Sequence, residues 1–222
     1  YSKDNVAYKP KKYFNISTAG IKDGDFTMIY GYPARTQQYL FSSGLDDVLN
    51  YSNPAKINLR TIRLNEIQQA RKSSPAIRIA YAYKAANIAN AWKKWQGECL
   101  GLRKLNIVDK KRTYENSFEE WAKKTEEYKD VISDLRKQYD LIHDYAFARD
   151  YFNEAIMAIE IVRPIALAGK WLENTSGAIP EKLSAFYEDY YPEIDRKIAK
   201  KLLAEYIDKV PAQFMPNEVA EN

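Results

Sequence analysis

The single histidine of this 222-residue chain, His143, is the first candidate for acid–base chemistry. In a Ser-His-Asp mechanism His143 would have to act as the base, because no second histidine is present. Its neighbour Asp144 lies about 100° away around a helix and therefore cannot orient the imidazole. We interpret His143 as a structural residue.

Metal and cofactor chemistry have little support in the sequence. Cys99 is the only cysteine, so the chain can form neither an internal disulfide nor a cysteine-rich metal site. A lone histidine excludes two-histidine zinc motifs, and no Gly-x-Gly-x-x-Gly, Walker or Gly-x-Ser-x-Gly sequence occurs. Acidic pairs such as Glu119-Glu120 and Glu126-Glu127 stand among lysines, which is typical of solvated ion-pair faces. We expect no metal and no cofactor.

Two asparagines, Asn87 and Asn90, lie inside a strongly periodic segment, 74–105. A helix through this segment places a polar stripe roughly opposite its apolar face: Tyr83, Asn87, Asn90 and Lys94. Asparagine costs stability in mid-helix unless its amide has a partner. Two interpretations stay open. The amides either lie on a solvated face or bond a neighbouring carbonyl, or they face a ligand.

The helix predicted for 74–105 is the element that must position those asparagines. Its apolar and aromatic residues, with the stem of Lys84, recur at steps of three or four: Ile77, Tyr81, Ile88, Trp92, Trp95 and Cys99. Ser74 is suited to cap the first turn. Pro75 fits the first helical position, where its missing N–H has no intrahelical partner to lose.

Helical signals dominate the chain from Asn53 onward. We expect further helices at about 53–72, 108–122, 126–172, 180–190 and 192–210, with a loop at 174–179. One apolar face persists through 126–172, which predicts a single helix of roughly 70 Å. Pro164 should kink this helix near its end.

Residues 1–45 have a different character. Glycines and prolines punctuate short runs such as YFNIST and DFTMIYGY, which are rich in aromatic and β-branched residues. These runs predict strands, with a turn at Lys22-Asp23-Gly24-Asp25. We therefore divide the chain into a β-strand segment, 1–45, and a helical domain, 46–222.

Composition excludes several function classes. Lysine and arginine total 34 against 30 acidic residues, and this formal charge of +4 is too small and too mixed to favour nucleic acid as a partner. Hydrophobic residues make up 45% of the chain, which is enough to build a core. No stretch reaches the roughly 18 to 20 apolar residues of a membrane span, and the first residues lack a signal-peptide pattern.

Three segments carry a family resemblance: YAYKAANIANAWKKWQG, GDFTMIYGYPARTQQYL and YYPEIDRKIAKKLLAEYIDKVPAQFMP. In order and spacing they resemble the bacterial serine dipeptidyl-peptidases called seven and eleven, over nearly all of the chain. Members of that family are several times longer, so residue 1 would lie inside a longer precursor. The resemblance implies a mainly α fold, a multi-helix bundle with one very long helix, preceded by a small β-hairpin from the edge of a chymotrypsin-like barrel.

The resemblance also implies a function. In the family the catalytic histidine and aspartate lie upstream of the matched segment and the serine downstream, so we expect no catalytic residue here and no activity of this segment alone. The helical domain is a lid over the cleft of the barrel. Matching the family's NYWK to NAWK assigns Asn90 to the α-amino group of the substrate. Ala34 and Ala91 depart from the family pattern, in the turn and in the cleft wall.

The expected partners follow from the same resemblance. They are the N-termini of oligopeptides and the remaining catalytic segments of the same polypeptide, with a homodimer as an option and with neither nucleic acid nor a membrane span. A secretion signal could stand upstream, so we expect a periplasmic or secreted enzyme. The alternative function is a free-standing helical interaction module without catalysis, which would bind through its tyrosine-rich faces.

Overall fold

The computed structural model describes residues 6–28, 30–31, 37, 39–173 and 181–217. The chain divides into two compact units, Tyr1–Gln38 and Tyr39–Asn222. Each unit is described by itself.

The first unit contains no β-strand in its described residues, so the predicted β-hairpin was wrong there. The turn at Lys22–Asp25 is present, because Asp25 N donates to Lys22 O at 3.1 Å and Lys22 N donates to Asp25 Oδ2 at 2.7 Å. The flanking apolar side chains are exposed, Phe14 fully and Tyr30 to 98%. A strand needs a ladder partner and a buried face, and these residues have neither within the described unit. Tyr32, Pro33 and Ala34 lie outside the described residues.

The second unit is helical, which confirms the mainly α prediction. Its helices are α1 (Ser42–Asp47), α2 (Asn53–Ser73), α3 (Pro75–Lys104), α4 (Ile107–Ala122), α5 (Val131–Tyr151), α6 (Val162–Glu173), α7 (Glu181–Glu188) and α8 (Pro192–Lys209). Two π-helical turns, Val48–Ser52 and Phe152–Ile156, and a 3₁₀ turn, Ala212–Phe214, complete the order. α1 begins within the segment predicted as strand, 1–45, and ends in the predicted helical domain. The predicted loop 174–179 lies outside the described residues.

Helix α3 begins where local signals predicted. The Ser74 hydroxyl accepts a hydrogen bond from Ile77 N at 3.5 Å, and Pro75 occupies the first helical position. The apolar stripe is buried against α2, with Tyr81 at 0% exposure. Asn106 has a φ of +49°, a left-handed conformation that asparagine tolerates, and it separates α3 from α4.

The predicted long helix at 126–172 was wrong, because the chain breaks between α5 and α6. After the π-helical turn Phe152–Ile156, residues 157–161 are not helical. The break leaves the backbone N–H groups of Glu160 and Ile161 without intrahelical partners, and the Asp195 carboxylate accepts both, at 2.8 and 3.1 Å. Pro164 lies in the first turn of α6, where its missing N–H costs no hydrogen bond.

The main core joins α2, α3, α5 and α8, with Leu59, Tyr81 and Leu202 each 0% exposed. A smaller cluster joins α1, α3 and α4 through Leu45, Cys99 and Val108. Cys99 is thus a buried hydrophobic residue. Among the described helices, none combines the length and apolar character required to cross a bilayer.

Candidate functional site

A cavity of about 570 Å³ lies within the helical unit, where α2, α3, α6 and α7 meet the break at 157–161. We call it the arginine cavity. Its charged and polar lining comprises Arg60, Arg63, Lys84, Asn87, Asn153, Glu154, Glu160, Arg163 and Asp189. Its apolar lining comprises Ile88, Met157, Ala158, Ile159, Pro164, Ala185 and Phe186.

Arg60 on α2 fixes one wall of the arginine cavity. Its guanidinium donates twice to the Glu154 carboxylate, Nε to Oε2 at 2.9 Å and Nη2 to Oε1 at 2.7 Å. It also donates from Nη1 to the Ile88 carbonyl at 3.0 Å and lies 4.5 Å from the centre of the Trp95 ring. A two-pronged contact of this kind is strong and directional. Arg60 therefore holds α2, α3 and the π-helical turn in one arrangement.

Lys84 on α3 fixes the opposite wall. Its ammonium donates to Glu160 Oε2 and to the backbone carbonyl of Asp189, both at 2.6 Å. The same nitrogen lies 4.4 Å from the centre of the Tyr81 ring. Burial and the negative charge of Glu160 raise the pKa of Tyr81, so this phenol is neutral at any ordinary pH.

Arg63 and Arg163 are the two remaining cations of the cavity, because Arg60 pairs with Glu154 and Lys84 pairs with Glu160. The Arg63 side chain is 16% exposed, and its closest acidic contact is Glu154 Oε2 at 3.7 Å, an oxygen that already accepts from Arg60. Burial lowers the pKa of Arg63, against the attraction of Glu154, and the positive charges of Arg60 and Arg163 lower it further. None of the ion pairs in the described part of the chain includes Arg163.

The two asparagines lie on the exposed side of α3, as the polar stripe predicted. They do not share surroundings, because Asn87 lines the arginine cavity and Asn90 is not among its lining residues. In the described part of the chain, no hydrogen bond joins the Asn90 amide to a neighbouring carbonyl. Its assignment to the substrate amine stays a prediction.

His143 has an acidic partner that sequence spacing could not reveal. Its Nδ1 lies 2.7 Å from Asp47 Oδ1, and the edge of the ring meets Tyr51 at a centroid distance of 4.6 Å. These groups line a smaller cavity of about 300 Å³ together with Ser43 and Arg112. Within the described residues no hydrogen bond joins Ser43 to the imidazole, and no group of acidic, histidine or cysteine side chains could hold a metal ion.

Sequence reasoning missed the arginine cavity. Its charged residues come from α2, α3 and α6, from the π-helical turn, from the break and from Asp189 just after α7. In the sequence, Glu154 and Glu160 appeared as part of one continuous helix. The only available signal was the concentration of arginines at three-residue spacing, at Arg60 and Arg63. Their convergence on Glu154 depends on packing between segments 94 residues apart.

A family model described as peptidase S46 matches residues 1–220, essentially the whole chain. The chain belongs to the peptidase S46 family. This confirms the family resemblance that the three sequence segments carry.

Two relatives in the S46 family illustrate the extent of the match. An Asp/Glu-specific dipeptidyl-peptidase of Flavobacterium psychrophilum is 36% identical over 97% of this chain and 32% of its own length. Dipeptidyl-peptidase 7 of Porphyromonas gingivalis is 33% identical over 98% of this chain and 31% of its own length. The chain thus spans about a third of the relatives that it matches.

The fold agrees with an S46 crystal structure. DPP11 of Porphyromonas endodontalis in complex with the dipeptide Arg-Glu covers 100% of this chain, with a TM-score of 0.72 and 26% sequence identity. The match takes up 34% of that protein's chain.

Proposed function

We propose that this chain forms the helical lid and part of the peptide-binding surface of a serine-type dipeptidyl-peptidase, which removes dipeptides from the free N-terminus of oligopeptides. The observation that carries the proposal is the likeness along the whole chain to DPP11, whose structure holds a dipeptide. The nucleophile and its base would come from the parts of the polypeptide that this chain does not contain. We also propose a periplasmic or secreted location for the intact enzyme.

Asn90 is the residue that we assign to the substrate amine. It lies on the exposed side of α3, a 30-residue helix that a buried stripe fixes against α2. An exopeptidase that counts two residues from the N-terminus must accept the ammonium at a fixed distance from its nucleophile. An amide oxygen on a rigid helix meets that requirement.

The test is Asn90→Ala in the intact enzyme. Loss of one charge-assisted hydrogen bond should lower kcat/KM for peptides with a free amine by roughly 10- to 150-fold, equivalent to about 1.5 to 3 kcal/mol. Asn87→Ala, one turn earlier on α3, is the matched control and should leave kcat/KM nearly unchanged. Equal kcat/KM for the wild type and Asn90→Ala would remove Asn90 from the proposal.

A second test addresses the missing catalytic groups. The 222-residue chain alone should not hydrolyse dipeptidyl substrates, because orienting groups without a nucleophile supply only a small share of the rate. Serine-directed phosphonates should not label it either. Labelling of any serine in this chain at the rate of an active protease would overturn the assignment.

A further inference from the structure

The arginine cavity has more positive than negative charge at its wall. Four cations line it, Arg60, Arg63, Lys84 and Arg163, against three acidic residues. Glu154 is occupied by Arg60 through two hydrogen bonds, and Glu160 is occupied by Lys84. The third acid, Asp189, is exposed and directly follows the last residue of α7, and its backbone carbonyl accepts from Lys84.

Among the described arginines of the cavity, Arg63 and Arg163 are therefore the two whose guanidinium groups make no close hydrogen bond to a carboxylate. Arg63 is mostly buried, and its nearest acid is shared with Arg60 at a longer distance, 3.7 Å. A buried cation without a close anion is costly, and a second arginine nearby increases that cost. An incoming anion between Arg63 and Arg163 would relieve both effects.

The remaining wall suits an apolar group. Ile88, Met157, Pro164 and Phe186 line the same space, and methionine adapts its shape readily to a bound ligand. A volume of about 570 Å³ is within the range of pockets that enclose small organic molecules. The cavity therefore combines a cationic end with an apolar surface.

We propose that the arginine cavity binds a small carboxylate-bearing molecule, with its carboxylate between Arg63 and Arg163 and its apolar part against Met157 and Phe186. The planar fork of arginine matches carboxylate and phosphate alike. A carboxylate fits better here, because Glu154, Glu160 and Asp189 leave only one surplus positive charge for the incoming group. A monoanion balances that charge, and a dianion overcompensates it.

This site is separate from the one assigned to Asn90, which does not line the cavity. The two can be tested independently with a probe whose amine is blocked. N-acetyl-phenylalanine has a carboxylate and an aromatic body but no ammonium. Its amide, N-acetyl-phenylalaninamide, has the same body without the charge, and phenyl phosphate replaces the carboxylate by a dianion.

The experiment is calorimetric or NMR titration of the intact enzyme with these three probes. N-acetyl-phenylalanine should bind at least 10-fold more tightly than its amide and more tightly than phenyl phosphate. Arg163→Gln should weaken its binding by about 10-fold or more, as expected for loss of a charge-assisted contact. Arg163 is exposed, so this variant should keep the helical circular dichroism of the wild type.

The matched control is Arg196→Gln on α8. Arg196 is an exposed arginine paired with Glu193 and does not line the cavity, so its removal should leave probe binding unchanged. Equal affinity for the acid and its amide, or equal binding by Arg163→Gln and the wild type, would overturn the proposal. Tighter binding of phenyl phosphate would overturn the carboxylate assignment in favour of a phosphate ligand, and no binding of any probe to the folded enzyme would overturn the site.

Discussion

Two long helical stretches of this chain have the same sequence periodicity and different structures. In α3 the apolar stripe continues through 30 residues without interruption. In 131–173 an equally regular stripe is divided between α5 and α6 by a π-helical turn and the non-helical residues 157–161. Periodic spacing therefore predicts which face is buried, but it does not predict whether the backbone remains helical.

The neighbours of each stretch account for the difference. Along α3, α2 supplies side chains that fit an unbroken helix: Thr61 accepts from Trp92 Nε1 at 2.9 Å, and the Lys56 ammonium lies 4.7 Å from the centre of the Trp95 ring. Beside 157–161, α8 supplies Asp195, whose carboxylate accepts two backbone N–H groups that an unbroken helix would use internally. Because these N–H groups have an alternative acceptor, the break in the helix costs little free energy.

The largest effect should come from removing that acceptor. Asp195 is 2% exposed and also accepts from the Tyr190 hydroxyl at 3.2 Å. Asp195→Ala would leave two partly buried N–H groups unsatisfied, so the free energy of unfolding in urea should fall by about 3 kcal/mol. Asp208→Ala removes an exposed carboxylate from the same helix and should cost less than about 0.5 kcal/mol. Equal losses in the two variants would contradict this account of the break.

A smaller effect should follow from removing the ion pair that joins α3 to the break. Lys84 on α3 pairs with Glu160 at the break, and both side chains are mostly buried. Lys84→Met keeps most of the apolar stem but leaves the Glu160 carboxylate without its cation. We therefore expect the free energy of unfolding, measured by heat or urea, to fall by about 2 kcal/mol. Lys94→Met replaces an exposed lysine on the same helix, so it is the control and should be nearly neutral. A neutral Lys84→Met would show that α3 and the break are stabilised separately.

Within α3 itself the expected effect is smaller again. Trp92→Phe removes the hydrogen bond to Thr61 and retains an aromatic ring, which should cost about 1 kcal/mol in equilibrium unfolding. Thr61→Val, combined with it in a double-mutant cycle, should be less than additive, because both variants remove the same bond. Trp121→Phe, at a site that is 54% exposed, provides the comparison. Full additivity would argue that this bond does not join α2 to α3.

The smallest effect concerns alkaline pH near the break. Burial, together with the negative charge of Asp195, raises the pKa of Tyr190 to about 12. The pKa of an unfolded tyrosine is about 10. Because the folded value is higher, the contribution of Tyr190 to stability is complete below pH 10 and is lost as the pH rises towards 12. Tyr190→Phe should therefore make unfolding less sensitive to pH in this window, and the exposed Tyr187→Phe should not. Identical pH profiles for the wild type and Tyr190→Phe would contradict the shift.

Local signals in the sequence were sufficient for several elements. Ser74 and Pro75 predicted the start of α3, and Pro192 and Pro211 bracketed α8, because capping and proline geometry depend on a few adjacent residues. The segment that contains NAWK, together with the other two segments that resemble the family, was sufficient to identify the family. The β-hairpin prediction failed for the described residues because strand propensity has no effect without a partner strand, and nothing local in YFNIST supplies one.

The sequence by itself determined the family, the helical class of the second unit and the buried face of each long segment, since these depend on residue type and spacing along the chain. Only the tertiary structure decided that the stretch after Tyr151 breaks, and that Asn87 lines the arginine cavity and Asn90 does not. It also decided that Arg60 meets Glu154 and that His143 meets Asp47. Those outcomes depend on groups brought together from distant parts of the chain. Asp195 lies 35 residues from Glu160, and its carboxylate can satisfy the backbone of the break only after α8 has packed beside it.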